Sequence, residues 1–178
     1  MMKSNGDNWD LPIIILHWLS AITVIGLFAL GWWMVDLTYY SDWYKTAPHT
    51  HKSVGILLAL LTLFRLYWIA THKRPAPLGS KAERRLSALA HKLIYLLLIL
   101  LFTSGYLIST ADGRGIEVFN WFTVPGLGSL IENQEDLAGD IHEWLAYILI
   151  GLAILHAVAA LKHHLIDKDK TLIRMLKP

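Results

Sequence analysis

Long apolar runs alternate with short polar stretches along this chain. Four runs, residues 11–35, 53–71, 88–110 and 141–161, are almost free of charge. Each reaches the roughly 20 residues an α-helix needs to cross a hydrocarbon layer. A backbone in lipid must bond to itself, so runs of this length read as helices. The pattern predicts an all-α membrane protein, a four-transmembrane-helix bundle forming a single domain over residues 1–178. Acidic Asp7 and Asp10 precede the first run and no small-residue cleavage site follows it. It therefore reads as a span and not as a removable leader.

Between the runs the polar residues predict how each span begins and ends. Asp10 followed by Leu11-Pro12 marks a helix start. Residues 36–50 form a short loop whose Tyr39, Tyr40, Trp43 and Tyr44 suit the headgroup belt. Pro75, Pro77 and Gly79 break the chain, and the basic stretch 81–86 leads into the third span. The longest loop, 111–139, contains Phe119, Trp121 and Phe122, and is expected to lay these aromatics in the outer leaflet as a short interfacial segment. Asp140 and Glu143 read as a capping pair opening the fourth span, and the tail after Leu161 as an amphipathic helix.

Composition agrees: 54% of residues are hydrophobic and the mean hydropathy is +0.43. The absence of cysteine excludes thiolate zinc sites, iron–sulfur clusters, c-type haem attachment and disulfides. The net charge of +2 hides an asymmetry. The side holding the termini collects twelve bases: Lys3, Lys73, Arg74, Lys81, Arg84, Arg85, Lys92, Lys162, Lys168, Lys170, Arg174 and Lys177. The opposite side has only Lys45, Lys52 and Arg114, with nine acids: Asp36, Asp42, Asp112, Glu117, Glu132, Glu135, Asp136, Asp140 and Glu143. The positive-inside rule predicts that both termini are cytoplasmic. The basic loops read as topology determinants, and nucleic acid is not an expected partner.

Nine histidines are many for so apolar a chain, and their depths carry the chemistry. Ionisable groups within spans are expensive and mark functional sites. His142 and His156 lie fourteen residues apart, hence on one helix face and about 21 Å apart along the axis. They cannot share one metal, but each can serve one of two sites stacked through the membrane. For the level away from the termini the partner is His51, with His49 one step further out. For the other level it is His17, with His91 as competitor. Adding fourteen to His17, His51 and His91 gives Gly31, Arg65 and Gly105. Gly31 and Gly105 would open room at one level for a flat macrocycle. Arg65 at the other suits an anionic propionate, with His91 as a hydrogen-bonding neighbour. Gly55, one turn from His51, would let a porphyrin edge approach. A single intramembrane histidine usually hydrogen-bonds a neighbouring helix, but depth-matched pairs across four spans do not read that way. Two histidines per level are too few donors for zinc, whereas a porphyrin asks for only two axial ligands.

The segments Leu16-His-Trp18, His51-Lys-Ser-Val-Gly55, Ala90-His-Lys-Leu-Ile-Tyr95, His142-Glu143 and residues 156–174 together resemble the bacterial cytochrome b561 family. The resemblance spans nearly the whole chain. It implies a dihaem protein of the bacterial inner membrane, multi-pass in lipid and linked to the quinone pool, with two haem b groups held by His17 and His156 and by His51 and His142. It further implies an oxidoreductase of the superoxide:ubiquinone type, with superoxide or another periplasmic donor giving electrons to ubiquinone. His163, seven residues beyond His156, is the expected proton donor to quinone. Two other classes stay open: a cytochrome anchor subunit of a larger dehydrogenase or hydrogenase, and a haem-free proton-relaying transporter, for which no inverted repeat is visible.

Overall fold

The computed structural model describes residues 8–178, so Lys3 and Asp7 lie outside the described residues. The four apolar runs form helices α1 (Leu11–Met34), α2 (Thr46–Thr71), α3 (Lys81–Thr110) and α4 (Gln134–Leu165), all long and apolar enough to cross a membrane. Most large apolar side chains point outward, among them Ile22, Ile25, Leu63, Leu96, Ile148 and Leu155. The interior mixes apolar residues such as Leu16, Leu58, Leu98 and Leu149 with small polar ones: Ser20, Ser53, Thr62, Ser104 and Thr110. In lipid the small ones are favourable, because they let backbones approach. Their hydroxyls are satisfied internally, as in Ser20 Oγ to Leu16 O at 2.6 Å and Thr62 Oγ1 to Leu58 O at 2.8 Å.

α1 packs chiefly on α2, and α3 on α4. The two helical hairpins touch each other less, which leaves the space between them as the place where facing side chains meet. Trp18 Nε1 donates to Met175 O at 2.7 Å, so the beginning and end of the chain meet at one end of the bundle, here the terminal end.

Three helices start earlier than the hydropathy pattern predicts. α2 begins at Thr46, seven residues before the expected Ser53, because Pro48 sits in the first turn, where no backbone N–H is needed. α3 begins at Lys81 behind a capping box. Ser80 Oγ accepts from Glu83 N at 3.3 Å, and Glu83 Oε2 accepts from Ser80 N at 2.9 Å. α4 begins at Gln134 after Asn133 in a left-handed turn, so Asp140 and Glu143 lie within the helix and cap nothing.

The long loop takes β form. It folds as a hairpin of β1 (Ile116–Val118) and β2 (Phe122–Val124) laid across the bundle, defining the hairpin end. Ser53 Oγ pins it, donating to Glu117 O at 3.2 Å and accepting from Phe119 N at 2.9 Å, while Val118 is fully buried. Trp121 and Phe122 face outward. The tail is also corrected: α4 stops at Leu165, and the chain turns back through Lys168 at φ +53° into a short 3₁₀ turn, Ile173–Met175. Arg174 Nη1 fastens that turn to Ala76 O at 2.8 Å.

Candidate functional site

The space between the two helical hairpins receives four histidines in two facing pairs. At the hairpin end, His51 of α2 meets His142 of α4, with ring centroids 6.2 Å apart and planes at 71°. At the terminal end, His17 of α1 meets His156 of α4, at 6.3 Å and again 71°. Imidazole nitrogens about 2.0–2.1 Å from a shared metal, each ~1.2 Å from its ring centre, would put opposed centroids about 6.4 Å apart. Both pairs match that span. His91 lies closer to His156, at 5.2 Å, which is too short for opposed ligation. His49 turns toward Phe119, 6.2 Å away, and faces the β-hairpin.

The groups behind the rings differ between the levels. His142 Nδ1 lies 3.1 Å from Leu101 O and 3.0 Å from Ser104 Oγ. The carbonyl only accepts, so Nδ1 carries the hydrogen and Nε2 keeps its lone pair for a metal. Gly31 and Gly105 do not face an open cavity as expected. A Cβ on Gly31 would stand 3.1 Å from His51 Cε1, and one on Gly105 3.1 Å from His142 Cε1. Within each tight helix pair the imidazole fills the space a side chain would take. Gly55 has nothing within 4 Å of its Cβ position.

At the terminal end Arg65 does reach the pair: its Nη2 is 3.1 Å from His17 Nδ1. Its guanidinium stands 5.7 Å from the centre of the Tyr95 ring. Arg65 Nε, Tyr95 OH and Trp68 Nε1 are buried without hydrogen-bond partners. Such orphaned donors are costly and ask for an acceptor. Tyr95 and Trp68 were not singled out as site residues by the sequence. Their signals were position alone, Tyr95 one turn after His91 and Trp68 one turn after Arg65. His91 Nδ1 sits 3.4 Å from Ser87 Oγ.

His163 is apart from both pairs, in a charged cluster at the end of α4. Its Nδ1 is 2.8 Å from Asp169 Oδ2 and 3.0 Å from Asp167 Oδ2. Lys162 Nζ bridges Asp167 Oδ2 and Glu83 Oε1, each at 2.7 Å. Glu83, His163 and Asp167 could together surround a metal ion, but the Lys162 ammonium already supplies positive charge between the two carboxylates. Burial pushes the Asp169 carboxyl up, yet hydrogen bonds from Thr171 and His163 outweigh it and hold the group below its usual range.

The chain resembles known proteins along almost its whole length. Residues 8–178 match the family described as prokaryotic cytochrome b561. The chain is 52% identical to cytochrome b561 homolog 2 of Escherichia coli (strain K12) over 90% of its length and 86% of that protein. It is 30% identical to cytochrome b561 homolog 1 of the same organism, covering 92% and 93% of the two chains. It is also 30% identical to the probable superoxide oxidase CybB of Yersinia pestis, covering 90% and 91%. Four membrane-spanning helices, histidines facing across them and a match over almost the whole length make the conclusion plain: the chain belongs to the prokaryotic cytochrome b561 family, bacterial membrane proteins that bind b-type haem and transfer electrons.

Proposed function

We propose that this protein carries electrons across the bacterial inner membrane through two b-type haems, one held by His51 and His142 and the other by His17 and His156. The single observation that carries the reading is the recurrence of the ring separation, 6.2 and 6.3 Å, at two levels two heptads apart on α4. Haem held between these imidazoles would supply a one-electron couple. The protein's own groups orient and tune it. Leu101 O and Ser104 fix the His142 tautomer. Arg65, with Tyr95 and Trp68 beside it, offers donors to an anionic propionate. His91, against His156, is a further hydrogen-bonding group at that level.

The twelve-to-three imbalance of basic residues supports a cytoplasmic terminal end and a periplasmic hairpin end. Ubiquinone is the proposed acceptor at the cytoplasmic end, taking two electrons and two protons to become the quinol, with His163 as proton donor. Superoxide, oxidised to dioxygen one electron at a time, is the proposed periplasmic donor; the similarity to the probable superoxide oxidase of Yersinia pestis supports it.

One observation favours the alternative, electron delivery by a partner protein to a cytochrome subunit. Of the nine acids at the hairpin end, only Asp112 is ion-paired among the described residues, and its partner is Arg114. That pairing also holds the Asp112 carboxyl below its ordinary range. The remaining acids repel an anion and would attract a cationic protein.

A reduced-minus-oxidised spectrum with a haem-to-protein ratio tests the core of the proposal. Two b-type haems per chain is the expected result, and a colourless protein made with ample haem supply ends it. The salt dependence of reduction by superoxide then separates the donors. A rate that falls as salt rises supports superoxide steering, and one that rises supports the partner protein.

A further inference from the structure

We infer that Asp169 is a positioning residue for quinone protonation: it ties the Nδ1 side of His163 and leaves Nε2 free to give its proton to the quinone. The inference rests on the quinone reading above and names what fits His163 to that task.

α4 carries His163 seven residues beyond His156, on the same face and about 10 Å further along the axis. Carboxylates only accept, so with Asp169 Oδ2 at 2.8 Å and Asp167 Oδ2 at 3.0 Å the ring hydrogen must sit on Nδ1. The other nitrogen, Nε2, makes no hydrogen bond among the described residues. One tied nitrogen and one free nitrogen is the arrangement in which a carboxylate holds a general acid in the correct tautomer.

The tie is built from both sides. Asp169 Oδ1 accepts from Thr171 N at 2.7 Å, which aims Oδ2 at the ring. Asp169 N donates to His163 O at 3.0 Å, through the left-handed turn at Lys168. Asp167 is differently engaged, because Lys162 Nζ stands 2.7 Å from the same Oδ2 and joins it to Glu83. Gly79 of the α2–α3 loop, at φ +85°, closes over the ring: a Cβ there would lie 3.4 Å from His163 Cε1. The His163 side chain is accordingly only 16% exposed. A simple helix cap does not account for this. Carboxylates at a helix C-terminus oppose its dipole, so two of them there require the groups they bind.

In the step itself the protonated ring gives its Nε2 proton to a quinone oxygen as an electron arrives. It is left as the neutral Nδ1–H tautomer held by Asp169. Water on the exposed side of the cluster returns the proton, once for each of the two that a quinol takes up.

The test uses haem-loaded full-length protein in nanodiscs with ubiquinone-1 as acceptor. His163→Gln should lower kcat for quinone reduction about 100-fold. Asp169→Asn should lower it about 10-fold with KM unchanged, and Asp169→Glu should recover most of the loss. Haem content and the dithionite-reduced spectrum should stay at the parent's values, which separates the effect from misfolding. Nitrogen-15 spectra of the ring should give Nδ1–H in the parent and a tautomer mixture in Asp169→Asn. An Asp169→Asn protein with the parent's kcat, or one that glutamate fails to rescue, overturns the inference. If the parent itself does not reduce ubiquinone, the acceptor assignment fails instead, and the nitrogen-15 spectra still decide whether Asp169 holds the ring.

Discussion

The two histidine pairs have nearly the same geometry and opposite surroundings. At the hairpin end each ring rests on a glycine of its neighbouring helix, and His142 Nδ1 faces a carbonyl that sets the ligating tautomer. At the terminal end His17 Nδ1 faces Arg65, which can only donate. In that contact Nδ1 accepts and the hydrogen sits on Nε2, the wrong nitrogen for opposed ligation. Arg65 must leave His17 before that pair can bind metal, and an arriving carboxylate is the group that would draw it away. At the hairpin end His142 is preset as a ligand, while His51 Nδ1 is buried without a hydrogen-bond partner. The terminal-end pair would be completed by a propionate of the proposed haem.

The largest effect comes from removing one proposed ligand at each level. His142→Ala and His156→Ala should each lower the haem-to-protein ratio from two to one, and the residual spectra of the two variants should differ. Identical residual spectra would mean that the levels are not independent. Gly105→Leu comes next. A Cβ already stands 3.1 Å from His142 Cε1, so a branched side chain must push the ring off its axis. The expected result is loss of the hairpin-end haem alone. Retention of both would show that the ring has room the close contact denies.

Arg65→Met acts on the other level, and more gently. A cation beside the site favours the reduced, less positive state. Its removal should lower the midpoint of the terminal-end haem by on the order of 60 mV, a tenfold change for one electron. The hairpin-end midpoint should stay where it was. Equal shifts in both would place Arg65 outside either level.

The sequence made the paired levels legible because helical spacing converts directly into depth: fourteen residues on α4 fix both the face and the separation of His142 and His156. The helix starts were less legible, since charge and Pro48 near a start look like loop although a first turn tolerates both. What lay beyond reach was long-range: Ser53 fastening the hairpin, Trp18 and Arg174 fastening the tail, and Asp169 meeting His163. Those contacts depend on where loops fold back, and no periodicity records it. The spacing located Gly31 and Gly105, and the structure adds that each lies against a paired ring. Small residues at helix contacts and small residues lining a cavity give the same pattern until the neighbouring ring is located.

Tyr95 offers the finest test of whether the terminal end is completed by an anion. Its hydroxyl is buried without a partner, and its ring centre stands 5.7 Å from the Arg65 guanidinium. An unsatisfied buried donor destabilises, so Tyr95→Phe should stabilise the haem-free protein by about 1 kcal/mol. The ring itself, and its contact with Arg65, are kept. A bound haem would offer the hydroxyl a propionate acceptor, and the same substitution should then become neutral or destabilising. Thermal unfolding of the parent and Tyr95→Phe in detergent, with and without haem, reads that reversal directly. An identical shift in the two forms would mean that the Tyr95 hydroxyl never meets the haem, and that Arg65 alone distinguishes this level from the other.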